Sequence, residues 1–418
     1  MKMIKPLRYL PILLMLLSIT ACLEEFIPET ETGTQGLLVV DARITNEMKR
    51  HSVMLSRTSP IGKDTLLFEN GAQIQVVSEN ASYPYTMVGD GNYVSNTAFS
   101  AQPGASYRLE ITLGNGKKYA SEMVTTPEIA EITSVYAERE NNPSGEDGVS
   151  IFVDGQGSPN GSGLYRYEFE ETYKVVAPKW VDRQFLFSDY DPCALPVPTF
   201  KLKTIPEAYE RKTCYGADDS KRIIQFSTKG LGQDRVERFP VLFISKDNYI
   251  ITHRYSILVK QLVDTPDAFA FYEKLSEIAN GNGGLSGVQP GFINGNIKSL
   301  DDTNEEVVGY FSSSTVSEMR TFFDFEDIFP GEEKPAFVDP CVIRRPKLNH
   351  ISYCFEGLAM DPCPVSLVEE LAQDNVAYID TITESPVCNP VEPYLVVNKL
   401  CGDCTVLGTN VKPDFWED

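Results

Sequence analysis

The chain has 418 residues and a formal net charge of −22, and 42% of it is hydrophobic, including 20 Tyr and 22 Phe. That much apolar material excludes a disordered chain, and the length predicts two or three domains. The acidity excludes nucleic acid as a partner and argues against docking on acidic lipid, because both carry like charge.

The first residues, MKMIKPLR, hold three cations (Lys2, Lys5, Arg8) and no acid, and YLPILLMLLSI follows as a short apolar core. This is the pattern of a secretory signal. The run is well short of the roughly 20 apolar residues that span a bilayer as a helix. Ile19-Thr20-Ala21-Cys22 resembles a bacterial lipobox. Cleavage there predicts a signal peptide over residues 1–21 and makes Cys22 the acylated N-terminus, with palmitate-type chains as the membrane anchor. Each buried methylene contributes about 0.8 kcal/mol, so several chains hold a protein effectively permanently. Residues 22–35, ending in LEEFIPETETGTQ, are polar and aperiodic and read as a flexible tether.

From Leu37 the pattern is β. LLVVDARI and HSVMLSRT are β-branched runs, and GAQIQVVS alternates on Ile74 and Val76. YRLEITLGNGKKYASEMV puts Tyr107, Leu109, Ile111 and Leu113 on one face, turns at Gly114-Asn115-Gly116 and returns near Tyr119. An immunoglobulin-like β-sandwich over 36–128 is the expectation.

A second, larger β-sandwich-like domain is expected over 129–340. Its strands are read at SVYAERE, VSIFVDG, LYRYEFEETYKVV, RIIQFST, PVLFISK and IITHRYSILVKQL, with paired strands in EVVGYFSSSTVSEMRTFF. The segments QGSPNGSG and GNGGLSGVQPGFINGNI are read as glycine-rich loops. One helix is predicted over 266–280, with Thr265 as N-cap, Pro266 in the first turn and Gly281 as terminator. Its stripe of Phe271 or Tyr272, Leu275 and Ile278 is expected to pack on the second sheet. The fold class is thus mainly β, closed by a disulfide-rich tail over 341–418.

Chemistry-bearing patterns are few. His51, His253 and His350 are the only histidines, and none is spaced with a second metal ligand. No metal, no cofactor and no catalytic residue is assigned. GGLSG lacks the spacing of a nucleophile elbow, and DDTNEE lacks the alternation of a calcium loop.

Beyond Cys22 there are Cys193, Cys214, Cys341, Cys354, Cys363, Cys388, Cys401 and Cys404. In an exported protein these are disulfide candidates, although eight cysteines allow on the order of a hundred connectivities. Cys193 is expected to pair with Cys214, and the tail cysteines among themselves. CGDC at 401–404 reads as disulfide material in a coil, ahead of a redox motif or half a zinc site.

Several stretches together resemble a known family. They are GAQIQVV, GNYVSN and PGASYRLEITLGNGKKYASE, then RYSILVKQLVDTPDAFAFYEKL, QPGFINGNI, GYFSSSTVSEMR and CGDCTVLGTNVKPDFW. The family, domain of unknown function 4249, comprises lipoproteins of Bacteroidota-type bacteria. The resemblance runs over essentially the whole mature chain. It implies an outer-membrane lipoprotein, often encoded beside TonB-dependent transporters, and supplies no catalytic residues. In such bacteria, acids just after the lipidated cysteine resemble a surface-export signal, and Glu24 and Glu25 stand in that window.

The function expected is a non-enzymatic, lipid-anchored outer-membrane protein facing the cell exterior. It would serve as accessory or lid subunit of a β-barrel partner, a TonB-dependent transporter. The alternative is a structural subunit of an outer-membrane assembly or secretion complex. A third reading, an extracellular hydrolase, rests only on the abundance of carboxylates.

Overall fold

The computed structural model describes residues 36–59, 67–158, 161–194, 198–280, 295–349, 365–382 and 392–418. Strand makes up 49% of the described residues and helix 10%, so the protein is mainly β. Among the described residues no helix is long and apolar enough to cross a membrane.

A 15-stranded sheet dominates. Its organising element is the strand Val307–Phe323, 17 residues long, which at about 3.3 Å per residue reaches roughly 50 Å. Residues 307–314 pair in parallel with Leu38–Thr45, and residues 315–323 pair antiparallel with Tyr255–Val263. The sequence predicts a pair of strands here. The chain forms one strand because nothing in 307–323 can turn it, and because each half finds a different partner. Its middle, Ser312-Ser313-Ser314-Thr315, is fully buried. Small hydroxyl residues suit a crossing where both faces are covered, and three find partners. Thr126 and Ser313 share a bond of 2.7 Å, Ser314 donates to Asp264 at 2.8 Å, and Thr315 donates to the Glu128 carbonyl at 3.1 Å.

The first core follows the period-2 pattern. Tyr107, Leu109, Ile111 and Leu113 are all buried, with Val53, Leu55, Ile74 and Val76 across the sheet. Gly116 turns the hairpin at φ +89°, and the return strand is Lys118–Ser121. This core is not confined to residues 36–128. Ile297–Ser299 pairs with Lys118–Ser121, and Ile297, Val307 and Phe311 fill the same core. Both would-be edge strands of the N-terminal region are thereby covered by chain from beyond residue 128, as an exposed edge would invite aggregation.

The second core lies between the far part of the large sheet and a three-stranded sheet of Glu131–Asn141, Asp147–Gln156 and Arg235–Ser245. Val149, Ile151, Tyr165, Tyr167, Ile257 and Phe323 are among its buried members. The glycine-rich loop entering Leu164–Val176 has a specific occupant. Tyr165 and Thr228 both donate to one Asp234 oxygen at 2.6 Å, and a Cβ on Gly157 would lie 2.0 Å from the other.

The helix Pro266–Asn280 forms as predicted, and the Ala268 amide donates to Thr265 Oγ1 at 3.2 Å. Its contacts stop short of the expected stripe: Phe271 meets Tyr310 at 5.1 Å between ring centres, while Ile278 is exposed. Gly281 and residues 282–294 lie outside the described residues.

The C-terminal segment is not a bare tail. It contains the helix Leu367–Ala372 and the strand pair Val376–Thr381 and Tyr394–Asn398. The hairpin of Arg183–Asp191 and Thr199–Pro206 packs on this lobe, Phe185 meeting Tyr378 at 5.3 Å and Tyr394 at 5.2 Å. The chain end returns to the large sheet. There Trp416, 4% exposed, sits edge-on to Tyr215 and Phe322, and Phe415 lies 3.6 Å beneath the Arg320 guanidinium.

Candidate functional site

Cys214 is bonded to Cys404 and Cys341 to Cys401. The expected Cys193–Cys214 pairing is therefore incorrect. Strand pairing carries Cys214 to the sheet edge, where Tyr215 bridges Thr409 in both directions and brings residue 404 alongside. Cys193 is exposed and unbonded among the described residues, while Cys22, Glu24, Glu25, Cys354, Cys363 and Cys388 lie outside them. CGDC is also not a coil. Lys399–Gly402 is a helical turn and Cys404–Val406 a 3-10 turn, joined at Asp403, whose carboxylate accepts from the Thr405 amide. Its two cysteines point to different partners, so this one turn ties the lobe internally and also to the large sheet. Asp339, Cys341 and Cys401 bring ligand-type atoms within 4.8 Å of one another, but the two sulfurs are bonded to each other and offer no thiolates.

Beside this junction lies a cleft of about 750 Å³, within the range of small-molecule sites. Its walls carry Asp339, Arg344, Glu370, Asp374, Asn398 and Lys399. These side chains hold one another in a row. Asn398 donates to Asp339 at 2.7 Å, Arg344 donates to Asn398 at 3.1 Å, and the other arm of Arg344 donates to Glu370 Oε1 at 2.5 Å. Lys399 pairs with Asp374 across the mouth. Arg344 is fixed through its backbone, which exchanges bonds of 2.8 and 2.9 Å with Val396. Glu370 rides on the helix Leu367–Ala372, whose start is closed by a reciprocal Ser366–Glu369 capping box. The left-handed Cys341, at φ 50°, turns the chain into the wall from Asp339. Glu370 is 8% exposed and its Oε2 has no partner among the described residues.

A second polar cluster crosses the seam between the two cores. Arg166 forks onto Asp264 at 2.8 and 3.2 Å and reaches Glu168 at 2.8 Å, while Arg43 grips both Glu168 oxygens. The Tyr272 ring lies 4.0 Å from the Arg166 guanidinium. Burial works against the Arg166 charge, but Asp264 more than offsets it and raises its pKa. Burial likewise works against ionised Glu168, and Arg43 and Arg166 hold its carboxyl below the usual range. Every charge here is satisfied within the fold, which marks a structural joint.

The histidines do not converge. His51 is buried with Nε2 3.0 Å from the Phe99 carbonyl, and burial depresses its pKa. His253 lines a pocket of about 200 Å³ with Lys174, Arg254 and Lys334, and burial, then Lys334, depresses it too. His350 lies outside the described residues.

The sequence profile of a family described as a domain of unknown function, DUF4249, matches residues 24–320. The chain belongs to this family. The DUF4249 match covers the first core and most of the second and ends inside the long strand, so the lobe that holds the cleft lies beyond it. No curated protein matches the chain.

Proposed function

We propose that this DUF4249 protein is a lipid-anchored, surface-exposed outer-membrane lipoprotein acting without catalysis as accessory or lid subunit of a β-barrel partner, a TonB-dependent transporter. The observation that carries the reading is the pair of buried bridges, Cys214–Cys404 and Cys341–Cys401. Such bridges persist in oxidising compartments, in agreement with an exported chain cut before Cys22. The order of elements supports a standing molecule. The tether joins at Leu38, beside Val307 at the start of the long strand, while the strand's other end, at Phe323, reaches the second core. The long strand thus runs from the residues that follow the tether to the second core, which suits a subunit that extends away from its point of anchorage.

Mild detergent extraction followed by affinity purification of the lipidated protein tests this reading. A β-barrel transporter recovered in stoichiometric amount is the expected result. Recovery without any β-barrel protein would overturn it, and a general loss of outer-membrane proteins on depletion would favour an assembly subunit instead.

A further inference from the structure

We propose that the end of the first core at which the tether enters is a lipid-seating surface, where Leu67, Phe68, Met87 and Val88 rest against the membrane that holds Cys22. The inference rests on the reading of Cys22 as a lipid anchor and adds to it which face of the body meets the lipid.

Strand pairing brings these four residues to the tether. Gly36 is the first described residue, and its carbonyl accepts from Arg57 at 3.0 Å. Arg57 is also paired with Glu69, the neighbour of Phe68, and Leu37 exchanges bonds of 2.9 and 3.0 Å with Thr58. The short strand Leu67–Phe68 lies along Arg57 and Ser56. The turn between the strands Ser82–Gly89 and Asn92–Ser95 comes to the same place. There Gly91 holds φ +64°, its amide donates to Asn70 at 2.9 Å, and a Cβ on it would lie 3.1 Å from the Phe68 ring. Leu67, Phe68, Met87 and Val88 are all exposed. Single exposed apolar residues are ordinary, but four large ones on two adjoining segments form a patch, and such patches mark contact surfaces.

The length of the tether sets what covers the patch. Residues 23–35 join Cys22 to Gly36, and a chain of that length reaches at most about 50 Å when fully extended. The patch therefore stays close to the acyl chains, and confinement of this kind supplies an effective concentration on the order of millimolar. A patch too weak to bind lipid from solution is then enough to seat the body. Charge agrees with this occupant. Arg57 and Glu69 neutralise each other beside the patch, and exposed Asp90 stands at the turn as part of a polar rim. The exposed acids Asp301, Asp302 and Glu306 precede Val307, on the opposite side of Leu38–Thr45 from Ser52–Arg57. The body thus seats by its apolar side and keeps its acidic side in water, so that burial at the headgroup boundary carries the contact.

The test uses the mature chain from residue 23 with an N-terminal histidine tag, held on phosphatidylcholine vesicles by a nickel-chelating lipid in place of the acyl anchor. A tryptophan is placed in the patch (Phe68→Trp or Val88→Trp) or beyond the far end of Leu38–Thr45, at exposed Met48 (Met48→Trp). The signal of Trp180 and Trp416 is subtracted with the unsubstituted chain. Brominated acyl chains are expected to quench the patch tryptophans at least twofold relative to unbrominated vesicles and to leave Met48→Trp unchanged. Adding Leu67→Glu and Met87→Glu to Val88→Trp is expected to abolish the quenching with an unchanged melting curve. Absence of quenching in the patch, or equal quenching at both ends, overturns the proposal. The anchor is tested separately, by the mass of the N-terminal peptide of the protein taken from its native membrane. An unacylated Cys22 would remove the anchor reading whatever the vesicles show, and a failure on vesicles leaves that reading standing.

Discussion

Removal of the Cys214–Cys404 bridge is the most informative perturbation, because it separates the lobe from the sheet without touching either core. The bridge closes a loop of 190 residues, for which the chain-entropy relation gives about 5 kcal/mol of stabilisation at 25 °C. With Cys341–Cys401 intact, its 60-residue loop shortens the effective closure, and the figure stays close to about 5 kcal/mol because the dependence is logarithmic. Measured bridges commonly deliver about 2–4 kcal/mol, so the expected loss for the Cys214→Ala, Cys404→Ala double variant is about 2–5 kcal/mol. The two tryptophans make the change readable. Trp180 packs against the Cys214–Cys404 cluster, and Trp416 packs on Tyr215. Tryptophan emission should therefore report release of the lobe at lower denaturant than far-ultraviolet circular dichroism, which follows the two cores. Coincident transitions, or a loss below about 1 kcal/mol, would refute the idea that this bridge holds the lobe in place.

Three other outcomes are expected. Arg166→Ala leaves Asp264, 0% exposed, without its cation and should cost about 3–5 kcal/mol in chemical denaturation; a cost under about 1 kcal/mol would mean that the seam network is not a joint. Gly309→Ala should cost about 2–4 kcal/mol by the same assay, since Gly309 has φ +120° and a Cβ there would lie 1.9 Å from the Val40 carbonyl oxygen; a neutral result would contradict the close approach of these strands. His51 has a depressed pKa in the fold, so the unfolded chain binds the proton more readily. Its contribution is present above the unfolded pKa of about 6.5 and is lost as pH falls below it. His51→Gln should therefore flatten the decline in stability between pH 7 and pH 5, and an unchanged slope would remove His51 as its source.

Local signals in the sequence carried the elements that rest on local physics. The alternation Tyr107, Leu109, Ile111, Leu113 is a period-2 face and is buried as one. Thr265-Pro266 is a helix start and caps one. What failed depended on partners far along the chain. Nothing within EVVGYFSSSTVSEMRTFF announces that its first half will meet residues 38–45 and its second half residues 255–263. Cys193 looked like the partner of Cys214 by nearness, but sheet pairing delivers Cys404 instead. The cleft was invisible for the same reason. Asp339, Arg344, Glu370, Asp374, Asn398 and Lys399 share no periodicity and meet only through a disulfide, a helix and a strand pair. The Asp–Pro–Cys run at 339–341 was the one local hint that Asp339 would stand at a fixed turn.

The central claim is that the protein stands on the outside of the outer membrane against a β-barrel. Intact cells treated with a membrane-impermeant amine-reactive cross-linker, followed by mass spectrometry of the purified lipoprotein, test it most directly. The account predicts cross-links from the protein to the outer loops of a β-barrel transporter. Cross-links that form only after the cells are lysed, or that never include a β-barrel, would contradict it.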